Sequence, residues 1–182
     1  MPTLQTPRLT LRPYHESDLP EYFTLLSNKT NLYYLNDIVT ETQESARQSL
    51  AEAIALMQST QARRFAITLN NNPKLIGGVG YDITATTPLG RVGHMGWFIL
   101  PQHQNKGYVT EAAKRVLEYA FDEDNCIRIT TGCYKENAPT QKVISKLGFR
   151  QESHEIKAQY HDGVMKDRLG FAINIDEWQP GQ

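Results

Sequence analysis

The stretch His94-Met-Gly-Trp-Phe-Ile-Leu-Pro101, followed by Gln104-Asn-Lys-Gly-Tyr-Val109 and then Thr110 to Phe121, decides how this chain folds. It reads as a strand from Gly93 to Leu100, a glycine-bearing loop, and a helix whose Ala113, Val116, Leu117 and Ala120 form an apolar stripe. Free N–H groups at a helix N-terminus bind phosphate oxygens, and glycine lets a ligand approach the main chain. Lys106 adds a positive charge to the same loop. The loop lacks the G-K-[ST] ending of a P-loop and the three glycines of a dinucleotide fingerprint, which argues against triphosphate hydrolysis and hydride transfer.

Downstream, Ile127 to Tyr134 is a strand and Asn137 caps a helix with Pro139 in its first turn; Gly148 stops that helix after Val143, Ile144 and Leu147. Strand, loop and helix thus occur twice in succession. The tail from Glu152 to Ile173, broken at His161-Asp162-Gly163, reads as a closing hairpin. Upstream, Arg8 to Tyr14 alternates like a strand, and Ser17 offers an N-cap for a helix over Asp18 to Leu26. Thr40 with Gln43 resembles a capping box ahead of Ala46, Leu50, Ala53, Ile54 and Met57 at helical spacing. Phe65 to Leu69, a turn at Asn70 to Pro73, and Lys74 to Ile83 form a second hairpin. Strands outnumber helices, so the expected class is α+β: a three-layer, mixed but mainly antiparallel central sheet of six to seven strands flanked by about four helices, in one domain over residues 1–182.

At 182 residues, with 40% hydrophobic and 21% charged positions, the chain suits one globular domain. Nineteen basic against twenty acidic side chains give a net charge of −1, unlike the basic footprint of a nucleic-acid binder. No run approaches the roughly 20 apolar residues of a membrane helix, and the N-terminus lacks the charged-then-apolar pattern of a secretory signal, so a cytoplasmic protein is expected. Cys126 and Cys133 lie seven apart in a strand, on opposite faces, and are expected to be reduced thiols. The five histidines are scattered without metal-site spacing, so no metal is expected.

Taken together, these segments resemble the GNAT superfamily of acyl-CoA N-acyltransferases. Gln104-x-x-Gly107-x-Val109 is similar to that family's Q/R-x-x-G-x-G/A signature, and His94 to Pro101 to its splayed central strand. Asn137-Ala-Pro-Thr140 with Val143 to Phe149, the opening Thr6 to Pro13 and the ending Asp162 to Asp167 resemble the branch that acetylates N-terminal amines of ribosomal proteins. The sequence departs from the pattern at Val109, where a small residue is usual, at Thr140, where serine is usual, and at His94, where many relatives carry glutamate.

The resemblance implies acetyl-CoA as cosubstrate, with main-chain groups of Phe98 and Ile99 holding the pantetheine arm and acyl carbonyl. Gln104, Asn105, Lys106, Gly107, Tyr108, Val109 and Thr110 would cradle the pyrophosphate. Asn137 would bond the pantetheine amides and Thr140 would protonate the departing sulfur. Glu152 matches a glutamate used as general base in some members of the branch, with His94 as second choice; Tyr33 and Tyr34 would line the acceptor pocket. The implied acceptor is the N-terminal α-amine of a protein such as a ribosomal protein. A small-molecule amine and a catalytically silent acyl-CoA-binding module remain alternatives, as do monomer and homodimer.

Overall fold

A computed structural model describes residues 1–27 and 42–179. Its elements are β1 (Leu4–Gln5), β2 (Leu9–Arg12), α1 (Leu19–Leu26), α2 (Gln43–Gln58), β3 (Ala62–Leu69), β4 (Asn72–Thr87), β5 (Gly90–Ile99), α3 (Tyr108–Asp122), β6 (Cys126–Tyr134), α4 (Ala138–Lys146), β7 (Arg150–His161) and β8 (Val164–Asn174). The strands form one sheet in the order β1-β2-β3-β4-β5-β6-β8-β7. β5 and β6 pair in parallel because α3 carries the chain back between them; every other neighbouring pair is antiparallel. Among the described residues there are eight strands against the expected six to seven, and the extra one is the two-residue β1, where Leu4 pairs with Leu11.

Both faces of the sheet are covered at β3, which is buried without a break from Phe65 to Thr68 and whose apolar side chains alternate between two cores. Phe65 and Ile67 pack with the α3 stripe Ala113, Val116, Leu117 and Ala120 on one face. Ala66 packs with Leu25 and Leu26 of α1 and with Ala46 and Leu50 of α2 on the other. Each large core side chain contributes about 1.5–3 kcal/mol by burial, which is why the helices hold their positions on the sheet.

Local signals set the element ends, with some shifts from expectation. A short 3₁₀ turn at Glu16–Asp18 precedes α1, and Asp18 takes the cap position expected for Ser17. The Asp18 side chain makes no capping bond to α1; its carboxylate instead accepts the His15 N–H at 2.9 Å and a fork from Arg12 at 2.8 and 2.6 Å, which holds the 3₁₀ turn and sets the helix start beyond Ser17. Thr40 lies outside the described residues; α2 is capped by Thr42, which accepts from the Ser45 N–H at 3.1 Å, and Gln43 is the first helical residue. The turn joining β7 to β8 places Asp162 at φ 47° and Gly163 at φ 83°, the left-handed pair that a tight hairpin requires. No helix among the described residues is long and apolar enough to cross a membrane.

Candidate active site

The parallel pairing of β5 with β6 runs from Arg91 opposite Cys126 to His94 opposite Thr130 and then stops. Beyond that point the strands diverge, and a cleft of about 1220 Å³ opens between them. His94, Phe98, Ile99, Gln104, Asn105, Gly107, Tyr108, Val109, Thr110, Asn137 and Thr140 all line it. Lys106 and Glu152 do not, and Tyr33 and Tyr34 lie outside the described residues.

At one end of the cleft is the loop before α3. Gly107 occupies the N-cap at φ 77°, so the helix begins at Tyr108, two residues earlier than the sequence suggests. The first helical bond runs from the Glu111 N–H to the Gly107 carbonyl, which leaves the N–H groups of Tyr108, Val109 and Thr110 ahead of it with no helical acceptor. These donors and the positive end of the α3 dipole suit an anion. The loop is braced from below. Arg8 donates to the Lys106 carbonyl at 3.0 Å and to Glu111 at 2.6 Å, and its guanidinium lies 4.7 Å from the centre of the Tyr108 ring. Burial pushes the Glu111 carboxyl up, but hydrogen bonds from Thr6 and Arg8 outweigh it and hold the group below the usual carboxylate range. Glu111, in the first turn of α3, complements the helix dipole and also ties the segment between β1 and β2 to α3.

The diverging strand supplies main-chain groups. Leu100 donates back to Ile76 of β4, while the Met95 carbonyl accepts the Thr131 hydroxyl across the gap at 3.0 Å. Alternation along β5 therefore turns the N–H and C=O of Trp97 and Ile99 toward the cleft. Phe98 pairs its main chain with Gly78 and contributes its ring, which with the Tyr14 hydroxyl occupies the space a Cβ at Gly78 would need. Across the cleft, Asn137 caps α4 by accepting the Thr140 N–H at 3.2 Å, and it is also a lining residue. The Thr140 hydroxyl bonds no other described residue. Lys142 and Lys146, one turn apart on α4, line the same cleft without an ion pair among the described residues. His103 adds a buried Nδ1 without a hydrogen-bond partner beside Tyr108. A diphosphate on a flexible amide-bearing arm fits this set of donors and cations.

His94 sits at the fork itself. Its Nδ1 lies 3.0 Å from the Thr130 hydroxyl, which in turn lies 3.1 Å from the Gly93 carbonyl. A carbonyl only accepts, so the Thr130 hydrogen points to Gly93 and the hydroxyl oxygen accepts from Nδ1–H. The remaining nitrogen, Nε2, keeps its lone pair. Burial first, then the charge of Arg168, holds the imidazole below its ordinary pKa, against an opposing pull from Asp82 on the neighbouring strand. The group is neutral at pH 7 and able to accept a proton.

Glu152 has different surroundings. It is exposed on β7, bonded to Arg128 and, at 2.9 Å, to Arg150. Hydrogen bonds from these two arginines lower its pKa and keep it an anion with little basicity. The sequence reading missed Thr130, Trp97, Arg8 and the cleft charges Asp82 and Arg168; of Arg12 and Arg64, which it offers without a role as recognising an acidic or terminal group, only Arg64 lines the cleft. Only strand register could have exposed the missed groups: Asp82, His94 and Thr130 are lateral neighbours on three strands whose pairing the linear sequence does not state.

Cys126 and Cys133 are free and buried, and burial pushes both thiols up to about 11, which suits neither to act as a nucleophile. Among the described residues no group of three or more His, Cys, Asp or Glu could hold a metal ion.

Comparison with known proteins agrees with this geometry. Residues 8–150 match the acetyltransferase (GNAT) domain family. An uncharacterized N-acetyltransferase, YnaD, of Bacillus subtilis (strain 168) is 30% identical over 175 residues, covering 96% of this chain and 98% of that protein. The crystal structure of a GNAT-family acetyltransferase from Bacillus anthracis superposes with a TM-score of 0.84 at 26% identity, over 96% of this chain and 99% of the other. RimL, a ribosomal L7/L12 α-N-protein acetyltransferase in complex with coenzyme A, superposes with a TM-score of 0.84 at 22% identity, over 97% and 99% of the two chains, and shares the fold. With a matching domain over most of its length and a near full-length relative, this chain belongs to the GNAT family of acetyltransferases.

Proposed function

We propose that the chain transfers the acetyl group of acetyl-CoA directly to a primary amine, and that the amine is the N-terminal α-amine of a protein or peptide. The single observation that carries this reading is the neutral His94, its Nε2 lone pair available, at the point where the sheet opens toward the anion cradle.

Each step has a residue. The cradle of Gly107 to Thr110 holds the diphosphate, Lys142 and Lys146 face further phosphate charge, and Asn137 with the gap-facing groups of Ile99 bonds the amide arm. Nε2 of His94 takes one proton from the ammonium, and the freed nitrogen pair attacks the thioester carbon. The Trp97 N–H, turned into the gap, stabilises the charge that develops on the carbonyl oxygen. As the carbon–sulfur bond breaks, the second surplus proton of the nitrogen reaches the sulfur through the Thr140 hydroxyl. The products are the amide and the free thiol. No enzyme nucleophile is needed, in keeping with two raised, buried cysteines.

The charge of the cleft bears on the acceptor. Asp82 is the one carboxylate among its described lining residues, and Arg64 clasps it at 2.8 and 2.6 Å. A polycation would find no open acidic partner among these described lining residues, which favours an α-amine over a polyamine. Thiol release from acetyl-CoA, measured across a panel of N-terminal peptides and small amines, tests the proposal. Turnover of peptides supports it. Efficient turnover of small amines alone overturns the acceptor, and binding of acetyl-CoA without transfer to any amine overturns the enzyme.

A further inference from the structure

The acceptor face of the cleft carries Arg64, Asp82, His94 and, from the far side of β6, Arg168. Nine of the ten arginines in the sequence close ion pairs: Arg8, Arg12, Arg47, Arg63, Arg64, Arg91, Arg115, Arg128 and Arg150. Arg168 alone forms none among the described residues, although it is half-buried and lines the cleft. Its cross-strand neighbour Glu155 is exposed and accepts from the Ser153 hydroxyl at 3.3 Å instead. A guanidinium taken partly out of water without a counter-charge is unfavourable, and its planar fork of donors matches a carboxylate.

The surroundings hold this fork in place. Arg168 stands opposite Tyr134 on β6 and lies over Gly132, where an added Cβ would come within 3.1 Å of Nη2 and 3.2 Å of Nε. Gly132 therefore provides the berth for the side chain. Gly132 is two residues, roughly 7 Å, along β6 from Thr130, the lateral neighbour of His94. On the adjoining strand, an added Cβ at Gly96 would meet nothing within 4 Å among the described residues, so none of them fills the space beside His94. A short molecule can place its amine at His94 and an anionic group at Arg168 together.

We propose that Arg168 anchors a carboxylate of the acceptor, so that the enzyme selects amines bearing a carboxylate a few ångströms from the reacting nitrogen. This rests on the acetyl-transfer step of the reading above and not on its choice of a protein or peptide as acceptor. The carboxylate is either that of a free α-amino acid or the side chain of an acidic residue at the start of a peptide.

Matched acceptors test it: an α-amino acid against its amide, and a peptide beginning Asp-Ala-Ala against one beginning Asn-Ala-Ala. The wild-type protein is expected to favour the carboxylate member by about ten- to hundredfold in kcat/KM, the worth of a charge-assisted pair. Arg168→Gln collapses that ratio toward one, mainly through KM, and Arg168→Lys keeps part of it. The arm that shows the preference identifies the source of the carboxylate. A wild-type ratio near one in both arms, or a ratio that Arg168→Gln leaves intact in a folded protein, overturns the proposal. Binding calorimetry of the same pairs on coenzyme A-loaded protein reads the preference without turnover. Absence of thiol release from every amine would thus sink the transfer reading alone, while the calorimetric preference and its loss in Arg168→Gln still decide the anchor.

Discussion

His94 is a base only while it is neutral, and its surroundings set when that is. Burial and the Arg168 charge depress its pKa below 6.5, so it is unprotonated at pH 7 and becomes protonated as pH falls through that lowered value. Activity is therefore expected to rise with pH along an acidic limb centred below 6.5 and to level near neutrality. His94→Gln should lower kcat by about 10²–10⁴-fold at pH 7 and abolish that limb. Glu152→Gln should leave the limb in place, because its carboxylate is held by Arg128 and Arg150 outside the cleft. A pH–rate profile of both variants checks this, and loss of the limb in Glu152→Gln would return the base role to the glutamate. Thr130 is a positioning residue: its oxygen takes the Nδ1 proton and so fixes the tautomer. Thr130→Val removes that acceptor while nearly keeping the shape. It should lower kcat by about tenfold or more with little change in the acetyl-CoA KM, and Thr130→Ser should restore it. Equal kcat in Val and Ser variants would show that the hydroxyl holds nothing of consequence.

At the scale of elements, the loop into α3 couples backbone conformation to ligand binding. Gly107 sits at φ 77°, and an added Cβ would meet only Arg8 Nη2 at 3.5 Å, an ordinary contact. Gly107→Ala therefore strains the backbone without a clash, at about 1–2 kcal/mol of stability. The same Cβ intrudes where a diphosphate would approach the main chain, so acetyl-CoA affinity should fall about tenfold, as read by calorimetry. Undiminished affinity in this variant would remove the loop from the diphosphate site. This element was legible in the sequence because its signals are local: a glycine, a following helix, an apolar stripe. The hairpin at His161-Asp162-Gly163 and the Asn137 cap were legible for the same reason. Where a local signal met tertiary partners, the partners prevailed, as when the Arg12–Asp18 pair held a 3₁₀ turn over Ser17 and moved the start of α1 beyond it. Strand β1 escaped notice since two residues carry no period to read. The cleft charges escaped for another reason. Arg168, His94 and Asp82 become neighbours only through the β4-β5-β6-β8 order, and Trp97 replaces Phe98 as a gap-facing main chain only once the β4–β5 register is known.

The whole molecule is a sheet divided by its own fork. Strands β1 to β5 form one block and β6, β8 and β7 another, joined by the short pairing from Arg91 to His94 and by α3, whose stripe packs on the common core. A ligand lying in the fork touches both blocks, with Gly107 to Thr110 and Ile99 on one side and Asn137 and Thr140 on the other. Such a ligand binds the folded state and not the unfolded chain, so it must stabilise the fold by mass action. At a hundred times its Kd the gain is about 2.7 kcal/mol. For a chain of this length, each kcal/mol raises Tm by about 2–4 °C, giving a shift of roughly 5–11 °C for acetyl-CoA. In Gly107→Ala, a tenfold weaker Kd at the same ligand concentration leaves about 1.4 kcal/mol, so the ligand-induced shift should halve even though the variant starts from a lower Tm. Thermal melts of both proteins with and without acetyl-CoA separate the two effects: the unliganded difference reports backbone strain at Gly107, and the difference between the two shifts reports the cradle. Equal shifts in wild type and variant would mean that the diphosphate is gripped elsewhere, and the fork would lose its role as the place where one ligand joins the two halves of the sheet.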